Sequence, residues 1–260
     1  MMASDSEKSL SRSPFADLVG NDSKEEKLFA RGRRDLANQR SSELDSSAPE
    51  IPRDLLNAAV AEALFNRGRA QYLGDGVDKN PAAAAEQFRA AAELGNAEAE
   101  YALGYLYEHG KGVGQDSFAA VQWWTKASNH GLSKAQHDLA CQFRDGSGID
   151  QSREQAIFWF SKAAAQGHAS AQYNLGVLHD SRDPVYQDYA TAAKWYQEAT
   201  AQGDTNAQFA LGRLYMFGFG VEPDDERAER LMRLASRKGH AEAKRILEIF
   251  WPHDPSDSVT

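Results

Sequence analysis

An all-α solenoid of 36-residue helix-turn-helix repeats is the fold this sequence predicts. Three columns of residues carry that expectation. Glycine recurs at Gly95, Gly131, Gly167, Gly203 and Gly239, at a constant step of 36 residues. Alanine keeps the same step at Ala63, Ala99, Ala135, Ala171, Ala207 and Ala243. Leucine follows it at Leu103, Leu139, Leu175, Leu211 and Leu247. A fixed period of this size marks a stack of small units, none able to bury its apolar face alone.

Each period divides into a helix A and a helix B. Residues Ala97–His109 show the A pattern: Ala99, Leu103, Leu106 and Tyr107 form one apolar stripe at helical spacing. Gly104, beside Leu103, is expected at a close helix contact. Gly110-Lys111-Gly112-Val113 then stops the helix, because glycine past a helix end takes the left-handed conformation without steric cost. The loop returns as Gly74-Asp75-Gly76-Val77, Gly146-Ser147-Gly148-Ile149 and Gly218-Phe219-Gly220-Val221. Its β-branched residue is expected to plug the gap between the two helices.

Helix B has its own start signal. Asn80, Asp116, Ser152, Asp188 and Asp224 occupy one repeat position, and all accept hydrogen bonds from first-turn amides. Pro81 follows Asn80, where a first helical position tolerates proline. The B helices then repeat small–large–small: Ala84/Phe88/Ala91, Ala120/Trp124/Ala127, Ala156/Phe160/Ala163, Ala192/Tyr196/Ala199 and Ala228/Met232/Ala235. Alanine lets the helix approach its partner, and the large residue fills the space left. A second aromatic column, Trp123, Trp159 and Trp195, is expected to face the next unit. The fourth loop departs from the pattern, reading His179-Asp180-Ser181-Arg182-Asp183-Pro184-Val185 at unchanged length.

The pattern Ala-x-x-x-Leu-Gly-x-Leu-Tyr-x-x-Gly-x-Gly-Val, then Ala-x-x-Trp-(Trp/Phe/Tyr)-x-Lys-Ala, then Gly-x-x-x-Ala-Gln, resembles the Sel1-like repeat, a relative of the tetratricopeptide repeat. The resemblance covers roughly residues 61–250. It implies a right-handed αα-superhelix with the A helices on the concave side, and a scaffolding or adaptor role.

Four segments are expected: a disordered tail over 1–22, a degenerate helix and linker over 23–50, the solenoid over 51–251 with a C-terminal capping helix, and a disordered tail over 252–260. The degenerate helix rests on an echo, Leu28-Phe29-Ala30-Arg31-Gly32-Arg33 matching Leu64-Phe65-Asn66-Arg67-Gly68-Arg69 one period later. The chain has 260 residues, 42% apolar and 26% charged, as a soluble domain does. A net charge of −9 opposes a nucleic-acid footprint, which needs clustered Lys and Arg. No stretch is apolar for long enough to span a bilayer, and residues 1–25 lack a signal-peptide core. One cysteine, Cys141, excludes an internal disulfide. The absent signal peptide and the lone cysteine favour a reducing cytoplasm; the expected protein is a cytoplasmic, bacterial adaptor and a monomer.

Catalytic motifs are absent: no His-Glu-x-x-His, no Cys-x-x-Cys, no phosphate loop and no Gly-x-Ser-x-Gly. His168 and His240 share one repeat position, which ties them to a turn. His137 and Cys141 lie one helical turn apart, a spacing that suits a nucleophile–base pair or two metal ligands. No enzymatic activity, cofactor or metal is expected. The alternatives are a hydrolase, which within the resembled family would be β-lactamase-like, or an inhibitor or immunity-type binder of one toxin or enzyme. The cysteine pairs that accompany β-lactam hydrolysis in cysteine-rich relatives are missing.

The inner surface carries the functional expectation. The resemblance places three A-helix columns inward. One is aromatic: Phe65, Tyr101, His137, Tyr173 and Phe209. A second gives Arg69, Tyr105, Cys141, Val177 and Arg213. The third gives Tyr72, Glu108, Arg144, Asp180 and Met216, with Phe217 beside it. Aromatic and arginine side chains dominate recognition energetics. Phe65, Arg69, Tyr72, Tyr101, Tyr105, Glu108, His137, Arg144, Tyr173, Phe209, Arg213 and Phe217 are therefore the expected contacts for an extended segment or helix of a partner protein.

Overall fold

The computed structural model describes residues 52–181 and 183–252. The expectations for residues 1–50 and 253–260 lie outside these. The described residues are helical, with no strand among them. They form two compact units, one ending at Asp116 and the other beginning at Ser117. The first holds α1 (Arg53–Leu73), α2 (Pro81–Glu93) and α3 (Ala97–His109). The second holds α4 (Ser117–Asn129), α5 (Ser133–Asp145), α6 (Arg153–Ala165), α7 (Ala169–His179), α8 (Tyr189–Ala201), α9 (Thr205–Phe217), α10 (Asp225–Arg237) and α11 (Ala241–Phe250). Odd numbers are A helices and even numbers B helices. Within each unit every helix packs on the next in sequence, and α7 also touches α9. Each unit is thus a stack of helical hairpins, the fold class the period predicts.

The period sets the helix ends. Asn80, Ser152, Asp188 and Asp224 each accept a hydrogen bond from the amide three residues on. The A helices use Asn96, His168, Asp204 and His240 in the same way. For His168 and His240 the acceptor is Nδ1, so their shared repeat position is a helix cap. The ruler glycines all have positive φ, from 83° to 91°. Around Gly95, Gly131, Gly167 and Gly239 a Cβ would meet nothing within 4 Å, so conformation selects glycine there, not space.

The small–large–small triplets are buried in every repeat. The large residue of helix B lies over the A-helix glycine one position past the leucine column, where the first repeat has Arg67. A Cβ on Gly68 would stand 2.8 Å from the Phe88 ring, and one on Gly212 3.1 Å from Met232 Cε. On Gly176 it would stand 2.3 Å from the Tyr196 ring. Gly104 is buried at the same repeat position, and Ala140 replaces glycine in the third repeat. Ala63 departs from its column and is exposed, since among the described residues no B helix precedes α1. The loop plug also needs correction at one position. Val221 packs against the core, but Val77 is 50% exposed.

A buried polar column runs beside the apolar one. Gln136 and Gln172 stand one period apart, each less than a tenth exposed. Gln136 Nε2 donates to Ser128 O on the preceding B helix, and Gln172 Nε2 to Ala164 O. Their Oε1 atoms accept from Gln166 and Gln202, at 2.8 and 2.7 Å. Each glutamine therefore ties its helix to the B helices on both sides.

The irregular fourth loop is held by another device. The amides of Asn80, Asp116, Ser152, Asp188 and Asp224 donate to the carbonyls of Gln71, Tyr107, Phe143, His179 and Tyr215, so all five loops close alike. Where the fourth loop lacks glycines, Arg153 at the start of α6 reaches in. Its Nη2 donates to Leu178 O and Ser181 Oγ at 2.5 Å, and Nη1 lies 3.6 Å from Asp183 Oδ2. Its guanidinium also covers the Tyr186 ring, whose hydroxyl donates to Glu154. Arg153→Ala is expected to cost about 2 kcal/mol, the size of charge-assisted hydrogen bonds lost from a part-buried site. Ser117→Ala, at the equivalent position of α4, is expected to fall within about 0.5 kcal/mol of the parent. Urea denaturation of the two variants measures the difference.

Candidate functional site

The twelve expected contact residues divide by burial. In the first unit Phe65, Tyr72, Tyr101 and Tyr105 are each less than a tenth exposed. Phe65 packs on Phe88, Tyr72 meets Tyr105 edge-on, and Tyr105 stacks on His109 at 4.2 Å. Phe65, Tyr72 and Tyr105 thus spend much of their surface on neighbouring rings, and Tyr101 is buried with them, so these residues offer little surface to solvent. Arg69 and Glu108 are half-buried beside them.

In the second unit His137, Arg144, Tyr173, Phe209 and Arg213 are half-buried and Phe217 is 54% exposed. The aromatic column follows a rule here. His137 meets Phe160 and Tyr173 meets Tyr196, each on the B helix of its own repeat. His137 also stacks on His168, and Phe209 on His240, the caps of the next A helices. The column therefore serves packing first and offers only its edges to a partner.

The outer stripe is different. Arg144 on α5 donates through Nη1 to Asn174 Oδ1 on α7, at 2.9 Å, and pairs with Asp145. Arg213 on α9 lies 3.6 Å from Asp180 at the end of α7. Each guanidinium is thus steadied by a neighbouring A helix while remaining 38% exposed. Burial pushes the Asp180 carboxyl above the usual carboxylate range, against the pull of Arg213 and the Tyr196 hydroxyl. Val177 and Phe217 add exposed apolar surface on the intervening and flanking A-helix positions. Phe217 leans on Phe219, which stacks on Tyr189 at 5.0 Å.

A polar cluster sits inside this face. Cys141 Sγ lies 3.8 Å from His137 Nε2. His137 Nδ1 donates to Asp138 Oδ1 at 2.8 Å, and Asn174 Nδ2 lies 3.3 Å from Nε2. Burial opposes charging of His137, but the hydrogen bonds to Asp138 and Cys141 prevail and raise its pKa to about 10. Burial and the charge of His137 push His168 down to about 4. Asp138 and Asn174 were not among the expected site residues. Their signal was present: they share a repeat position that is alanine at Ala102 and Ala210. Among the described residues no three of His, Cys, Asp and Glu are grouped to hold a metal ion. No described helix is long and apolar enough to cross a membrane.

Comparison with protein families identifies the repeat. The Sel1 repeat model matches residues 61–96, 97–132, 133–168, 169–204 and 205–240. The chain belongs to the Sel1 repeat family. Sel1 repeat proteins are generally protein-interaction scaffolds. Comparison with curated proteins gave no match. Among solved structures, the chain is similar to a protective antigen of uropathogenic Escherichia coli displaying an SLR fold. That similarity has 33% identity and a TM-score of 0.71, over 76% of this chain and 42% of the antigen. The chain therefore spans less than half of that relative. A Sel1 repeat protein from Oxalobacter formigenes is similar at 26% identity and TM-score 0.69, covering 88% of this chain and 89% of its own.

Proposed function

We propose that this Sel1 repeat protein is a non-catalytic adaptor that binds a segment of a partner protein on the A-helix face of its second unit. The observation that supports this most is the outer stripe on α5, α7 and α9. There Arg144 and Arg213 are braced by Asn174 and Asp180, with Val177 and Phe217 exposed among them. Arginines held in place before contact lose less side-chain entropy on binding, and exposed aromatics supply the apolar part. The mixed chemistry suits a peptide or helix carrying both carboxylates and apolar side chains. Such a partner is met by a monomeric, cytoplasmic adaptor that needs no cofactor.

The test removes the stripe and keeps the fold. Arg144→Ala with Arg213→Gln removes both charges. Proteins retained from the native cytosol are expected to fall at least about tenfold, the loss of one to two hot-spot side chains. Circular dichroism should stay unchanged, and Glu198→Ala on α8 should retain partners like the parent. Undiminished retention by the double variant would remove the assignment of this face.

A further inference from the structure

We propose that Cys141 is a base-assisted nucleophilic thiol, activated by His137 and oriented through Asp138, that forms a mixed disulfide with small disulfides. This goes beyond partner binding and does not depend on it. The cluster carries the three parts such chemistry needs. A sulfur lies within hydrogen-bond reach of a ring nitrogen, the far ring nitrogen is bound to a carboxylate, and the sulfur belongs to a half-buried residue on the open face. Asp138 keeps a proton on His137 Nδ1, which leaves Nε2 facing the thiol. Arg144 fixes the Asn174 amide from the other side, so the imidazole is oriented from both α5 and α7.

The repeat pattern makes the convergence visible. Position 137 is aromatic in the other four repeats, at Phe65, Tyr101, Tyr173 and Phe209. The third repeat alone puts an imidazole there, and puts its cysteine one turn later. Packing is satisfied by an aromatic ring at this site, so packing does not explain a histidine coupled to a cysteine and an aspartate. Within the second unit the charged or titratable groups placed against the pair are Asp138, Arg144 and His168. Asp138 favours a proton on His137, and the Arg144 guanidinium is coupled to the Cys141 sulfur. His168, held low by burial and by His137, adds no competing positive charge near neutrality.

The step balances without a further reagent. The thiol proton passes to His137 Nε2, and the imidazolium, held up to about pH 10, keeps it. The Cys141 sulfur attacks one sulfur of a disulfide R–S–S–R, the S–S bond breaks, a new Cys141–S–S–R bond forms, and R–S⁻ departs with the electron pair of the broken bond, its charge balanced by the imidazolium. Cysteine is oxidised and one half of the small disulfide is reduced. The adduct would stand one turn from Arg144.

Since the chain has one cysteine, every reaction event reports this site. The full, reduced chain is mixed with glutathione disulfide or with 5,5′-dithiobis(2-nitrobenzoate) across pH 5–9, and adduct formation is followed by mass and absorbance. Wild type is expected to react about tenfold faster at pH 6 than an ordinary thiol that has no base beside it. His137→Phe, which restores the aromatic residue of the other repeats, should remove that low-pH advantage. Asp138→Asn should reduce it by less. If His137→Phe alters the fold by circular dichroism, Asp138→Asn decides. A wild-type profile like that of a free thiol, or variants that superimpose on wild type, would overturn the proposal. So would a thiol that reacts only after unfolding.

Discussion

Gly176→Val is expected to cost about 3 kcal/mol or more, the upper end of overpacking in a close-packed core. A Cβ at Gly176 would lie 2.3 Å from Tyr196 Cε1, closer than real Cβ contacts come. Tyr196 cannot step aside cheaply. It is 1% exposed, leans on Tyr173, and its hydroxyl donates to Asp180. The equivalent glycines give an internal scale. At Gly68 the obstacle is the Phe88 ring at 2.8 Å, and at Gly212 it is the flexible end of Met232 at 3.1 Å. Alanine recovers about 1 kcal/mol of helix propensity over glycine. The alanine series should therefore run from clearly destabilising at Gly176, through intermediate at Gly68, to near neutral at Gly212. Denaturation midpoints of the three variants measure this order. Equal midpoints would mean that the helices yield at this contact, against the close approach seen in each pair.

The order also marks what the sequence makes legible. Period, helix starts and core triplets follow from local chemistry repeated in register, so Asn80, Phe88 and Gly95 announce their roles. The turn positions of His168 and His240 were legible for the same reason, because both keep the ruler, while their capping through Nδ1 is seen only in the coordinates. Features off the ruler were not. Arg153 reaches Leu178 and Ser181 across a loop that has no counterpart in the other repeats, and only coordinates bring them together. Exposure was the weakest inference. Tyr72 and Tyr105 occupy columns that look variable and accessible, yet they cover each other. The Tyr105 column stays open in the second unit at Val177 and Arg213. Whether a column position faces solvent depends on ring sizes in adjacent helices, which a period cannot rank. The cluster around His137 was half legible: the His137–Cys141 spacing could be read, and the polar residues Asp138 and Asn174 stood out in their column, but only coordinates bring Asn174 to the His137 ring.

Gly148→Ala should be among the most damaging single-methyl changes available in this chain, and Gly76→Ala its control. Both residues have φ of 68°, so both substitutions carry the same left-handed strain of about 1 kcal/mol. Only their surroundings differ. A Cβ on Gly148 would stand 2.4 Å from Ser117 O and 2.5 Å from its carbonyl carbon, at the start of α4. Gly112 and Gly220 make the same approach to Pro81 and Tyr189, each at 2.3 Å. Gly76, in the first repeat, has nothing within 4 Å. The second loop glycine is thus where one repeat seats on the backbone of the B helix before it, and backbone cannot rotate away as a side chain does. Gly148→Ala is expected to cost at least about 2 kcal/mol more than Gly76→Ala, from the overpacking that strain alone does not include. The fourth repeat supports the logic from the other side. Pro184 occupies this position, and there Arg153 bridges the gap through its side chain. Urea titration of the two alanine variants separates the contributions. A shared midpoint would leave only backbone strain, and the glycine would no longer explain how neighbouring repeats register.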